Sequence, residues 1–212
     1  PCPSEDYYCP ICKQLVPKIT VPWPGGQKVV QPRCKCEVQA YEREIAEAEE
    51  RKRRAEIEQK FGTEAIGGRF RTYTFENFAA RPGSERALEL AKRYAANFER
   101  ADGMGLLIWG EPGNGKSHLA GAVYHTIKER GFTPVFQSTP ELLSRIRSTF
   151  RREAKETENE IMRVLLRCDL LILDDIGSEK ISDWVLDVMF RIIDGRYRNK
   201  KPVLFTTNFA PN

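Results

Sequence analysis

Residues 110–118 read GEPGNGKSH and follow directly on the apolar run GLLIW at 105–109. The stretch matches G-x-x-x-x-G-K-[ST], with Gly110, Gly115, Lys116 and Ser117 at the fixed positions. Its glycines let the backbone curl so that successive N–H groups face one point, a concavity that suits phosphate oxygens. The residues that follow, KSHLAGAVYHTIKERG (116–131), are expected to form a helix closed by Gly131, whose positive end adds to the same field. A chance glycine turn would not need a strand before it and a helix after it. The candidate nucleotide-binding residues are therefore Gly110, Glu111, Pro112, Gly113, Asn114, Gly115, Lys116, Ser117 and His118. Lys116 is expected to neutralise the β- and γ-phosphates of ATP, which also makes it a catalytic candidate, and Ser117 to ligate Mg²⁺.

A second feature is independent of the first. LLILDDIG (170–177) is a core strand that delivers two carboxylates at its end. Ligands bind outside the carboxyl ends of parallel strands, where Asp174 and Asp175 would lie. Asp174 is the expected Mg²⁺ partner, and Asp175 the expected base or water-orienting group. A helix cap would explain one aspartate but not two after a strand. Asn208, at the end of PVLFTTN, is the third polar candidate: its amide is placed to orient the attacking water. By itself it would be an ordinary strand-ending Asn.

Around these motifs, strands and helices alternate. Helices are expected over 84–100 (with Ser84 as its cap), 116–131, 140–153, 159–167 and 183–199, and strands over 105–109, 133–138, 169–175 and 202–208. Strands separated by helices imply an α/β fold with a parallel sheet covered on both faces. Residues 37–60 lack Pro and Gly, and their thin apolar stripe of Val38, Tyr41, Ile45, Ala48 and Ala55 suits a solvated connecting helix. The expected division is a small module at 1–36, a helical connector at 37–65 and a nucleotide-binding core at 66–212.

The 212 residues carry 41% hydrophobic and 30% charged side chains, a globular balance, and the formal charge of +4 is too small to imply nucleic acid by itself. With no apolar run near the roughly 20 residues of a membrane span and no secretion signal, the sequence reads as cytoplasmic. The opening on Pro1 in place of Met reads as a piece of a longer chain.

The cysteines concentrate at the start. Cys9-Pro-Ile-Cys12 and Cys34-Lys-Cys36 form two close pairs, and four thiolates from two such turns surround Zn²⁺ tetrahedrally at about 2.3 Å each. Cys2 is a fifth candidate, able to replace one of the four. All-thiolate ligation with no open position argues for a structural zinc, without which so small a segment has little to hold it folded. Cys168 reads as a small buried hydrophobe. The apolar residues near the cluster, Tyr7, Tyr8, Ile11, Val16, Ile19, Val21 and Trp23, suit a protein-binding face. A DNA-binding ribbon is the competing idea, since Lys13, Lys18, Lys28, Arg33 and Lys35 lie among them, but charges over residues 1–60 nearly balance.

GLLIWGEPGNGKSHLA, the strand PVFQS with its PELL helix, RCDLLILDDIGSEKISDW and RYRNKKPVLFTTN resemble the AAA+ core of the bacterial helicase loaders, the DnaC/DnaI family. RFRTYTFENF (69–78) resembles the segment preceding that core, and the similarity runs from about residue 66 to 212. The resemblance implies an ATP-driven switch that binds a hexameric replicative helicase, self-associates through its core and helps place the helicase on single-stranded DNA. It implies a zinc-bearing N-terminal domain, as in loaders of the DnaI kind, that engages the helicase through residues 1–60. It also places Phe75 and Phe78 near the base pocket, although two aromatics buried against the sheet would read the same. A further strand, an arginine finger and a helical lid would follow Asn212, so this stretch is expected to bind nucleotide better than it hydrolyses it. Arg196 and Arg198 read as a solvated helix end. Arg145, Arg147, Arg151 and Arg152 lie where related ATPases can touch DNA. The transposon-encoded IstB ATPases are similar too, and would imply duplex DNA and a transposase as partners. A structural adaptor with a vestigial site is disfavoured by intact Lys116, Ser117, Asp174, Asp175 and Asn208.

Overall fold

The computed structural model describes residues 7–62 and 68–211, so Cys2 and the expected junction at 65–66 lie outside the described residues. Packing divides the chain into Pro1–Arg53 and Arg54–Asn212. In the first unit, β1 (Tyr7–Tyr8) pairs antiparallel with β2 (Leu15–Val16), and β3 (Ile19–Trp23) with β4 (Gly26–Val30). Trp23 stands opposite Gly26, which leaves Pro24 and Gly25 as the turn. Gly25 has φ of 103°, and proline followed by a positive-φ glycine is the pattern of a type II turn. The long helix α1 (Lys35–Phe61) then begins, leaving Val38, Tyr41 and Ile45 exposed in the first unit.

In the second unit the elements are α2 (Glu85–Ala96), β5 (Leu106–Trp109), α3 (Lys116–Glu129), β6 (Pro134–Ser138), α4 (Thr139–Ser148), α5 (Glu158–Arg167), β7 (Leu170–Asp174), α6 (Asp183–Arg198) and β8 (Val203–Thr207). The four strands form a parallel sheet in the order β5-β8-β7-β6. Strand β7 shows why its sequence is apolar without alternation. Leu171 and Leu173 pack into a cluster with residues of α4, α5 and α6, while Leu170 and Ile172 pack into a second cluster with residues of α2 and α3. A strand buried on both faces has no polar side to show. Helix α5 begins with a reciprocal cap: Glu160 N–H donates to Thr157 Oγ1 at 3.3 Å, and Thr157 N–H donates to Glu160 Oε2 at 3.0 Å. Among the described residues, no helix is long and apolar enough to cross a membrane.

Three expectations are corrected. Helix α1 is not solvated to its end: Ile57 and Phe61 are buried in the α4–α6 cluster, and Glu56 faces Arg163 at 3.5 Å. Ser84 does not cap α2 with its side chain; its hydroxyl turns back to Arg81, donating to the carbonyl and accepting from the N–H, both at 2.8 Å. Arg196 is not at a solvated helix end. It is fully buried, and its guanidinium donates to the carbonyls of Leu165 (2.5 Å), Cys168 (3.1 Å) and Pro202 (2.7 Å) and to Cys168 Sγ (3.1 Å). The last carbonyls of a helix have no partner within it, and here a cation from α6 closes the end of α5. Arg198 is exposed and pairs with Asp194 at 3.0 Å, as a helix-end arginine would.

Replacing Arg196 strands several buried carbonyls at once. Arg196→Met is expected to lower stability by about 3 kcal/mol in urea unfolding, and Arg198→Met to change it by less than about 0.5 kcal/mol. Equal effects of the two substitutions would contradict the burial of Arg196.

Candidate nucleotide-binding site

The phosphate loop joins β5 to α3. Gly110, Gly113 and Gly115 have φ of 146°, 81° and 82°, conformations that L side chains rarely adopt, so the motif's glycines are required by the backbone path. Lys116 is nearly buried, and its ammonium donates to the carbonyls of Gly110 at 2.8 Å and Glu111 at 3.0 Å. Glu111, Pro112 and Asn114 lie on the same turn, where Asn114 N–H donates to the Glu111 carbonyl at 3.4 Å.

Asp174 ends β7, one strand away from β8 in the sheet. It is 5% exposed and accepts a 2.6 Å hydrogen bond from Thr206 Oγ1. Burial pushes its carboxyl above the ordinary carboxylate range, and the charge of Asp175 acts the same way; hydrogen bonds from Thr206 and Ser117 and the charge of Lys116 oppose them. Asp175 sits at φ of 58°, a left-handed conformation uncommon outside glycine. Its N–H donates to Thr206 Oγ1 at 2.8 Å, and its Oδ1 accepts from Asn208 Nδ2 at 3.1 Å. A cleft of about 430 Å³ is lined by Lys116, Ser117, His118, Asp175, Thr206 and Asn208. The candidate residues of three separate motifs thus meet at one end of the sheet. Thr206, which links both aspartates, was not singled out in the sequence; the signal available was a polar residue inside an otherwise apolar strand.

Of the aromatics preceding the core, Phe70 and Tyr73 line this cleft. Phe78 lies against Gly115 and edge-on to His118 at 5.2 Å between centroids, and both Phe75 and Phe78 pack against the α2–α3 cluster. Of the four arginines considered for DNA, Arg145 pairs with Glu156 at 2.6 Å and Arg147 lies 4.6 Å from the Trp184 ring centroid. Arg151 and Arg152 are exposed. Cys168 is fully buried, as expected of a small hydrophobe.

In the first unit, the sulfurs of Cys9, Cys12, Cys34 and Cys36 all lie within 4.8 Å of one another. Four ligands at about 2.3 Å from a common centre in tetrahedral array stand roughly 3.8 Å apart, and Cys12 and Cys34 are 3.7 Å apart. Ile11 N–H points to Cys9 Sγ at 3.4 Å, and Gln14 N–H draws the Cys12 thiol below its usual range. Cys36, hydrogen-bonded to Cys12, is pushed up to about 11. A cluster this crowded holds four thiolates only around a cation, so the residues fit a metal ion. Glu37 anchors the cluster to α1: it accepts from Cys34 N–H at 3.0 Å and from the Tyr7 hydroxyl at 2.5 Å, which raises the tyrosine to about 12.

Comparison with known proteins agrees with this geometry. Residues 45–211 match the family model described as IstB-like ATP binding protein. The chain is 29% identical over 161 residues to the replicative helicase loader DnaC of Escherichia coli K12, covering 75% of this chain and 65% of that protein's length. It is 27% identical over 115 residues to the replicative helicase loader DnaI of Bacillus subtilis, covering 54% of this chain and 36% of that one. The crystal structure of a DnaC helicase loader superposes with a TM-score of 0.60 at 31% identity, over 69% of this chain and 82% of that chain. The fold is therefore α/β of the AAA+ type, with a Cys-rich segment before it. The chain belongs to the IstB-like ATP-binding protein family and is a homologue of the bacterial DnaC/DnaI helicase loaders.

Proposed function

We propose that this chain is an ATP-dependent loader that binds a hexameric replicative DNA helicase and assists its placement on single-stranded DNA, with ATP binding and hydrolysis switching its self-association and its affinity for the helicase. The observation that carries the reading is the convergence of Lys116, Ser117, Asp175 and Asn208 on one cleft, with Asp174 hydrogen-bonded beneath it through Thr206, in a chain similar to helicase loaders. Lys116 leaves its loop carbonyls for the β- and γ-phosphates. Ser117 and, through water, Asp174 would hold Mg²⁺, and the bound ion would offset phosphate charge. Asp175 orients the attacking water and accepts its proton, and Asn208 fixes the carboxylate of Asp175 while facing the same water.

Cys9, Cys12, Cys34 and Cys36 take Zn²⁺ and hold a module over residues 1–36, joined by a helical connector to an ATPase core. Apolar side chains of the first unit, Tyr8, Ile11, Ile19 and Trp23, are exposed and supply a surface for the helicase. Arg151 and Arg152 are the remaining arginines available to single-stranded DNA. A second reading, a transposition accessory ATPase that binds duplex DNA and a transposase, is favoured by the family model's own description as IstB-like.

Two measurements test the proposal. The chain is expected to co-elute with the replicative helicase of its own organism in Mg-ATP, and to lose the complex when a chelator strips its metal or when residues 1–53 are removed, a cut that leaves Ile57 and Phe61 in the core. No complex with the intact chain, but retention of duplex DNA and a transposase, would establish the second reading. The other concerns Asp174. A carboxyl whose pKa is raised by folding holds its proton more tightly folded than unfolded, so its ionisation costs stability at neutral pH, and that cost disappears as pH falls through the folded value. Asp174→Asn is therefore expected to raise Tm at pH 7 and to narrow the gap in Tm between pH 7 and mildly acidic buffer, while abolishing the Mg²⁺ dependence of ATP binding. A lowered Tm together with retained Mg²⁺ dependence would contradict the assignment.

A further inference from the structure

Residues 70–81 run along α3 toward the phosphate loop and touch it at one contact after another. His125 Nε2 meets the Phe70 carbonyl at 3.0 Å, and a Cβ on Gly121 would lie 3.0 Å from that of Tyr73. His118 stacks on Tyr73 at 4.3 Å between centroids and meets the Thr74 carbonyl at 2.9 Å and Asn77 Oδ1 at 2.8 Å. Positions 118, 121 and 125 share one face of the helix. Phe78 then fills the space a side chain on Gly115 would need, where a Cβ would fall 2.6 Å from its ring.

The last contact reaches the loop's tip. Arg81 Nη1 donates to the Gly113 carbonyl at 3.0 Å. The backbone of Arg81 is fixed by Ser84, whose N–H and hydroxyl both donate to the Arg81 carbonyl, at 2.9 and 2.8 Å. Among the described residues, Gly113 is the one hydrogen-bond partner of a guanidinium that carries five N–H donors. Arg81 also lines, with Lys116, a second cleft of about 310 Å³ whose other walls include Ile108, Trp109 and Leu119. Among the described residues, no carboxylate lines it. Two cations side by side without a counter-charge suit an anion at the phosphate loop.

We propose that Arg81 is a further nucleotide-positioning residue: it fixes the tip of the phosphate loop through Gly113 and offers its remaining N–H groups to the anionic part of a nucleotide held by Lys116. The inference rests on the nucleotide-site reading above and adds a residue that lies outside the G-x-x-x-x-G-K-[ST] motif. A guanidinium fork engages two oxygens where an ammonium engages one point, so lysine is a poor substitute there.

The test is titration of the full chain with Mg-ATP at a series of salt concentrations. Arg81→Gln is expected to lower affinity about tenfold and to flatten its salt dependence, because a cation facing the ligand has been removed. Arg81→Lys should recover the salt dependence and only part of the affinity. Ser84→Ala, which removes both hydroxyl bonds to the Arg81 backbone and leaves the cation in place, should weaken binding with the salt dependence intact. Arg81→Gln binding within twofold of wild type, or weaker binding with an unchanged salt dependence, would overturn the proposal. Lys116→Ala separates the two levels. If it abolishes binding while Arg81→Gln does nothing, only Arg81 is misassigned; if it too binds as wild type, the nucleotide site itself is wrong.

Discussion

A single buried hydroxyl, Thr206 Oγ1, donates to the Asp174 carboxylate and accepts from the N–H of Asp175. Asp174 is held inside an apolar sheet against the cost of burying its charge, and Asp175 follows it in the left-handed conformation. One side chain therefore ties the carboxylate of the first aspartate to the backbone of the second. Asn208 extends the arrangement by donating to Asp175 from the end of the same strand that supplies Thr206. Parallel pairing makes this possible, because β7 and β8 run in the same direction and deliver their last residues to one end of the sheet.

That geometry carries a cost which the rest of the core offsets. The strands leading to the site are buried on both faces, and the two apolar clusters flank the sheet without a gap at β7. Arg196 extends the same logic to the α4–α6 side. It closes the carbonyl end of α5 from within α6, and the close approach this needs is allowed by Gly195, where a Cβ would fall 2.7 Å from Leu166. The first unit solves its stability problem differently. Its hairpins leave much apolar surface exposed, so the four clustered sulfurs and the Tyr7–Glu37–Cys34 hydrogen bonds stand in for a core.

Much of the sheet and site was legible in the sequence because each feature there has a local physical signature. The glycines of the phosphate loop, the apolar run ending in Asp174 and Asp175, and the paired cysteines announce themselves by spacing. Thr206 did not, since threonine is at home in any strand and its role depends on a neighbour in the sheet that spacing does not reveal. Arg196 was misread through its residue type, yet it falls in register with Val185, Val188, Met189 and Ile192, the buried face of α6. The hairpin at Ile19–Val30 was missed because Pro22 interrupts the strand pattern, although Pro24-Gly25 carries the turn signature. Ser84 looked like a helix cap because serine usually is one there; its hydroxyl instead serves the turn that fixes Arg81.

The most direct measurement of the central claim is the equilibrium affinity for Mg-ATP of Thr206→Val, a substitution that keeps the shape of the buried side chain and removes only its hydroxyl. A folded protein with at least about tenfold weaker Mg-ATP binding is expected, since a buried carboxylate and a part-buried N–H lose their shared partner. Binding as tight as wild type would show that the hydroxyl does not organise the two aspartates.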